Sequence, residues 1–249
     1  MESPEVKNLV VYMPLAGWPS ISSKVFTSFV ELIHSESQNG LKSKYNLDMK
    51  VLIHDKFPVD RNRNSAIELA LSNKYKADYI FFFDADNVIP KHTVERLMER
   101  ISDEFPIVTG LYWRKTPPHT CVAGHYSPWT KDMEMKRASL NAQGFVLPDG
   151  SQCLFYRPLQ DYTTVQPIDV SGLGCLLVKA DVFRKLEMPY FGYLNPYTNG
   201  GDYTIDHCSE EMIFWAQCKK KGIKALVDPS VRCGHVAERV IGCSEVDNA

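Results

Sequence analysis

Apolar residues along this chain alternate between short unbroken runs and stripes with helical spacing. The runs fall at residues 6–14 (VKNLVVYMP), 49–54, 79–83 (YIFFF), 107–113 (IVTGLYW), 168–178 (IDVSGLGCLLV) and 223–227. Runs this short, bounded by Pro, Gly, Asp or Asn, predict strands, the richest of them buried on both faces. The fifth carries a glycine-containing bend inside it. Between the runs the period lengthens. Ile21, Val25, Phe29 and Ile33 recur every fourth residue and predict a helix over 20–33, and Ile67, Ala70 and Leu71 share one face of a helix over 61–71. Pro90 takes the favoured first position of a third helix, with a stripe of Val94, Leu97, Met98 and Ile101. A short helix is predicted over 180–186. The best-bounded one opens at Ser209 as cap, with Glu210 and Glu211 in its first turn, lysines 219–221 in its last and Gly222 as its stop.

Strand and helix alternating in this way predict an α/β protein. Its central sheet is mostly parallel and flanked by helices, with ligands at the carboxyl ends of the strands. Three stretches break the rhythm. Residues 35–46 are polar and read as a loop, and 190–206 are aromatic, Gly-rich and irregular. Residues 114–166 are rich in Pro, His, Tyr, Lys and Met, with only short strand-like pieces such as 153–156. A segment that long without clear elements is usually functional or mobile.

Composition narrows the class. At 249 residues and 44% hydrophobic content the chain can bury one large core. A formal net charge of −2 and a pI near 6.4 argue against a general nucleic-acid binder. Seven cysteines without a Cys-x-x-Cys pair suit reduced thiols in the cytoplasm better than a disulfide framework or a zinc cluster. No apolar segment follows the opening MESPEVK and no run reaches membrane length, so a soluble cytoplasmic protein is expected.

Candidate chemistry gathers at four places. Asp84 and Asp86 end the YIFFF run, and strand alternation would send both to one side, where two carboxylates can hold a hard divalent cation; a plain polar turn is the alternative. Asp60-Arg61-Asn62-Arg63-Asn64 opens a helix, where guanidiniums and unpaired N–H groups suit a phosphate or diphosphate; a solvated first turn is the alternative. Glu210 or Glu211 can act as a general base, or simply favour the helix dipole. His235 in CGHV is a third metal donor or an ordinary satisfied histidine. Aromatic residues Trp113, Tyr126, Trp129, Tyr156 and the 190–197 stretch can wall an acceptor site or pack a loop.

In this order, the segments VVYMP, RNRNSAIELAL, YIFFFDADNVIP, DVSGLGCLLVKADVF, SEEMIFWAQCKKKGIKALVDPSV and CGHV resemble the GT-A fold, in particular glycosyltransferase family 2. The resemblance spans most of the chain except 114–166. It implies a single domain over 1–249: a nucleotide-sugar-binding half (1–113), a variable insertion (114–166) and an acceptor and catalytic half (167–249). It further implies a metal-dependent glycosyltransferase that moves a hexosyl or pentosyl group from a UDP- or GDP-sugar to a hydroxyl acceptor. Asp84 and Asp86 match the Asp-x-Asp motif that holds Mn²⁺ or Mg²⁺, and His235 matches the late histidine ligand. Arg63 and Asn64, with Arg61 beside them, match the pair near the donor, and Pro14 and Asp55 would lie near the nucleoside. Gly172 and Gly174 match the segment that closes on the sugar. Glu210 and Glu211 match an acidic pair, usually Glu-Asp, whose second member is the base. Here that member is a methylene longer, which brings Glu210, Asp202 and Asp206 in as alternatives. Two other classes share such a fold. A sugar-nucleotide-forming nucleotidyltransferase would want a Gly-rich basic loop after the first strand, which MPLAGW (13–18) lacks, and a non-catalytic binding module would have no need of the full set of acids.

Overall fold

The computed structural model describes residues 5–16, 20–39, 41–115, 119–128, 144–146, 153–192 and 209–236. Five strands run in one direction: β1 (Lys7–Pro14), β2 (Leu47–His54), β3 (Tyr79–Phe83), β5 (Ile107–Leu111) and β11 (Ala225–Arg232). Two more, β9 (Gln166–Ile168) and β10 (Cys175–Lys179), run against them and complete a seven-stranded sheet in the order β2-β1-β3-β10-β5-β11-β9. The sheet is mostly parallel, as the alternation of runs and stripes predicts.

β3 is buried along its whole length, and its alternation serves two cores. Ile80 and Phe82 face the cluster built with α3 (Val59–Leu71), α5 (Ala180–Lys185) and α6 (Met212–Lys220). Tyr79, Phe81 and Phe83 face the cluster built with α1 (Ser23–Asn39) and α4 (Thr93–Met98). Each fully buried ring contributes about 2 kcal/mol of hydrophobic stabilisation. Phe82 also meets Tyr12 edge-on at 5.6 Å between centroids, the geometry aromatic quadrupoles favour.

Several boundaries move. Most of the stretch expected to be a loop is helical: α1 runs to Asn39 and α2 covers Leu41–Tyr45. The polar residues that broke the apolar stripe are buried and engaged. Ser28 Oγ accepts from Ile89 N, Ser35 Oγ from His92 N, and Glu36 Oε1 from Val94 N at 2.9 Å and Glu95 N at 3.3 Å. These bonds clamp α1 to the segment that follows Asp84 and Asp86. α4 starts at Thr93 rather than Pro90, after a left-handed His92. The run at 168–178 is two strands in different parts of the sheet, joined by the 171–174 turn. α6 starts at Met212, so Glu210 and Glu211 stand in a turn before the helix, and no side chain caps it. Gly222, at φ +66°, ends α6 as predicted.

Within 114–166, β6 (Gly124–Pro128), β8 (Cys153–Pro158) and β7 (Gly144–Val146) form a small antiparallel sheet in that spatial order. β12 (Gly234–His235) pairs with β4 (Asn87–Val88), which draws the late histidine beside the Asp84–Asn87 turn. No helix among the described residues is long and apolar enough to cross a membrane.

Candidate active site

β1, β2, β3 and β5 all end at one edge of the sheet. Because β10 runs the other way, its entry turn, 171–174, lies at that edge too. The acids after β3 do not continue the strand. Asn87 N donates to Asp84 O at 3.0 Å and closes a turn. That turn splits the two carboxylates between different partners. Arg63 Nη2 donates to Asp84 Oδ1 at 2.9 Å and lies 3.4 Å from Glu210 Oε1. Asp86 Oδ2 accepts a hydrogen bond from Lys115 Nζ and lies 3.5 Å from His235 Nε2. His235 Nδ1 donates to the Trp113 carbonyl at 2.8 Å, so Nδ1 carries a proton and Nε2 is the nitrogen turned to Asp86.

Burial sets the electrostatics. It works against the Arg63 charge, but Asp84 and Glu210 outweigh it and hold the guanidinium protonated. Burial raises the Asp84 pKa, Arg63 pulls it back, and the Asp86 charge pushes it up again. Asp86 is pushed up by burial yet held below the usual carboxylate range by its hydrogen bonds to His235 and Lys115. Glu211 is pushed up to about 7 by burial and by the like charge of Glu210. A buried carboxylate whose proton affinity is raised toward neutrality is suited to acid–base work.

Two cavities meet across Arg63, Asp84 and Asp86. One, of about 400 Å³, is lined by Lys115, Gly172, Glu210, Glu211 and His235 among others. The second, of about 470 Å³, is bounded by Pro14, Ala16, Phe57, Pro58 and Val59, a more apolar wall. Asn62 holds that wall in place: its Nδ2 donates to the His54 and Lys56 carbonyls, and its Oδ1 accepts from Tyr12 Oη at 2.6 Å. On the other side, Trp215 Nε1 donates to the Ser171 carbonyl and ties the 171–174 turn to α6 behind Glu211.

The structure thus brings together Pro14, Arg63, Asp84, Asp86, Gly172, Glu210, Glu211 and His235. Four other sequence candidates stand apart from both cavities. Asn64 spends its amide on the backbone of Tyr190 and Phe191, with contacts of 2.7–3.1 Å. Arg61 and Asp55 are exposed. Gly174 is packed under the buried Asn87 side chain, where an added Cβ would come within 2.6 Å of the amide. Trp129, Tyr197, Asp202 and Asp206 lie outside the described residues. Sequence reasoning overlooked Lys115 and Tyr112, and named Asn62 within its motif without a role of its own. A signal for Lys115 was present, because Arg114 and Lys115 follow β5 just as Asp84 and Asp86 follow β3.

Gly172 makes a testable contact. Any Cβ there would overlap the Tyr112 hydroxyl, which accepts a hydrogen bond from Gly174 N at 2.8 Å. Gly172→Ala should cost about 1–3 kcal/mol, read from the urea midpoint. Tyr112→Phe in the same chain should return part of that loss; no loss in Gly172→Ala would mean the turn is not packed this way.

Asp84, Asp86 and His235 offer two carboxylates and an imidazole, a donor set suited to Mn²⁺ or Mg²⁺. The backbone carbonyl behind His235 Nδ1 is the support that metal-ligating histidines use. Among the described residues, however, no three His, Cys, Asp or Glu side chains form a ready-made metal cluster. Arg63 bonds Asp84 and Lys115 bonds Asp86 instead. The donors fit a divalent cation in kind.

A seven-stranded sheet of this topology, with its clefts at the carboxyl edge, is the GT-A fold of nucleotide-sugar transferases. The chain matches "Glycosyl transferase family 2" over residues 35–159, half its length, and belongs to that family. Among solved structures, A197 from STIV superposes with a TM-score of 0.51 at 16% identity, over 93% of this chain and 86% of that one, which shows a shared fold. The catalytic domain of Drosophila beta1,4galactosyltransferase 7, in complex with xylobiose, gives 0.45 at 10% identity over 98% and 80%. GalNAc-T7 with UDP, GalNAc and Mn²⁺ gives 0.45 at 15%, over 95% of this chain and 45% of that one. No curated sequence matches the chain significantly.

Proposed function

We propose that this family 2 protein is a metal-dependent glycosyltransferase that moves a hexosyl or pentosyl group from a UDP- or GDP-sugar to a hydroxyl acceptor. One observation carries the reading: Asp84, Asp86, His235, Arg63, Glu210 and Glu211 converge where an apolar cleft meets a polar one. The cleft at Pro14 and Phe57 suits a nucleoside, and the seam suits its diphosphate. Asp84, Asp86 and His235 would hold Mn²⁺ or Mg²⁺, which when bound supplies positive charge to the leaving diphosphate. Arg63 adds a fixed positive charge at the same seam. The acceptor oxygen bonds to the anomeric carbon as the carbon–oxygen bond to the diphosphate breaks, and the hydroxyl proton passes to Glu211.

The same proposal carries the domain division at 1–113, 114–166 and 167–249. It also carries a cytoplasmic setting, in which the buried thiols of Cys121, Cys175, Cys218 and Cys233 stay reduced. A panel of UDP- and GDP-sugars with Mn²⁺, read as released nucleoside diphosphate, tests the activity. At least one donor should be turned over, and EDTA should stop it. If no nucleotide sugar is hydrolysed or raises Tm in the presence of Mn²⁺, the proposal fails. Release of pyrophosphate from a nucleoside triphosphate and a sugar phosphate would favour a nucleotidyltransferase instead.

A further inference from the structure

β2 is the outermost strand of the large sheet, and among the described residues no strand pairs with its outer side. Leu15 N donates to the His54 carbonyl and Lys7 N to that of Asn46, so the even-numbered residues of β2 turn their backbone groups toward β1. Met49, Val51 and Ile53 turn theirs outward. Leu47 and Met49 pack in the core under α1, so Val51 and Ile53 project to that same side of the sheet. On α1, Ser28 and Ser35 bond the 89–92 backbone, which leaves Phe26 and Val30 on the opposite flank, over β2. Phe26, Val30, Val51 and Ile53 are 39–59% exposed and form an apolar strip along an open strand edge. Such edges are usually blunted by charge, yet Lys50 is folded back and donates to the Tyr75 carbonyl at 3.1 Å.

We propose that this edge is a homodimer interface, in which β2 pairs antiparallel with β2 of a second copy about a twofold axis at Val51. An isologous contact needs a self-complementary surface, and the strip supplies one. With the axis normal to the sheet, both apolar strips fall on one side. Val51 opposes Val51, Ile53 opposes Met49, and Phe26 and Val30 flank the seam from above. On the other side the exposed Asp48 falls opposite His54 of the second copy, with Lys56 next along, while Lys50 opposes Leu52. Asp55 lies past the strand's end. Neighbouring registers fit less well. Centring on Lys50 sets two ammoniums opposite one another, and like charges there destabilise. Centring on Met49 carries Ile53 past the start of the facing strand, against α2.

The test is sedimentation velocity on the full chain over micromolar concentrations, with far-UV circular dichroism to show that each variant is folded. The wild type should sediment as a dimer. Its Met49, Val51 and Ile53 amides should gain protection from hydrogen exchange as the concentration rises. Val51→Lys, which sets an ammonium against its own copy, and Ile53→Lys should each weaken the dimer at least about tenfold. Met188→Lys, at an apolar residue past α5 that is 49% exposed, should leave it intact and guards against a general effect of added charge. Asp48→Lys should also weaken the dimer, and Lys56→Asp in the same chain should restore part of the loss. A monomeric wild type, or a dimer that survives both Val51→Lys and Ile53→Lys, overturns the interface. Failure of Lys56→Asp to restore the Asp48→Lys dimer overturns the pairing about Val51.

Discussion

Arg63→Met should lose about 3–5 kcal/mol of folding stability, measured by urea denaturation near neutral pH. The guanidinium is 5% exposed and one nitrogen serves two carboxylates, Asp84 at 2.9 Å and Glu210 at 3.4 Å. Methionine fills much of the space but leaves both acids half-buried without their cation. The loss should depend on pH. Without Arg63, burial and the Asp86 charge act on Asp84 with only His235 against them, so its folded-state pKa rises further above the unfolded value. The folded protein then binds more protons than the unfolded chain, and stability drops as pH climbs through that range. The variant should therefore be closest to wild type at about pH 5 and furthest from it above neutrality. Glu210→Gln in the Arg63→Met background should restore part of the loss by removing one stranded charge. A cost below about 1 kcal/mol would mean that the pair behaves like a solvated surface bridge, and Arg63 would lose its claim as the buried charge of the site.

The parts of the fold that periodicity could reach were legible in the sequence. YIFFF gave a strand buried on both faces because all five side chains are apolar and each face has its own core. The end of α1 was not legible, because Ser35 and Glu36 look like loop residues until the backbone they clamp, 92–95, is in view. Asp84 and Asp86 were visible as a pair but for an incomplete reason. Strand alternation was expected to align them, whereas a closed turn directs one to Arg63 and the other to Lys115. Asn64 illustrates the opposite failure: its motif position suggested a ligand contact, yet its amide is consumed by a backbone 126 residues away. Lys115 was the hardest to foresee. Its contact with Asp86 spans 29 positions and depends on where the segment past β5 places one long side chain.

The base proposed above, Glu211, stands beside Glu210, and the two carboxylates have different surroundings. Glu210 is engaged with Arg63 at 3.4 Å, whereas Glu211 is pushed up to about 7 by burial and by Glu210. A base whose pKa lies near the working pH combines a useful deprotonated fraction with real proton affinity. Glu211→Gln should therefore cut kcat by about 10²–10⁴-fold with little change in donor KM. Glu210→Gln should act differently. It removes the like charge that raises Glu211, so the acidic limb of the kcat/KM profile, expected at about 7 in the wild type, should move to lower pH. Retention of near wild-type kcat in Glu211→Gln would transfer the role to another acid, with Asp202 and Asp206 next to be replaced. An unmoved limb in Glu210→Gln would mean that burial alone sets the affinity of Glu211, and that Glu210 serves only to hold Arg63. The two variants thus distinguish a carboxylate that takes a proton from one that tunes and braces its neighbour.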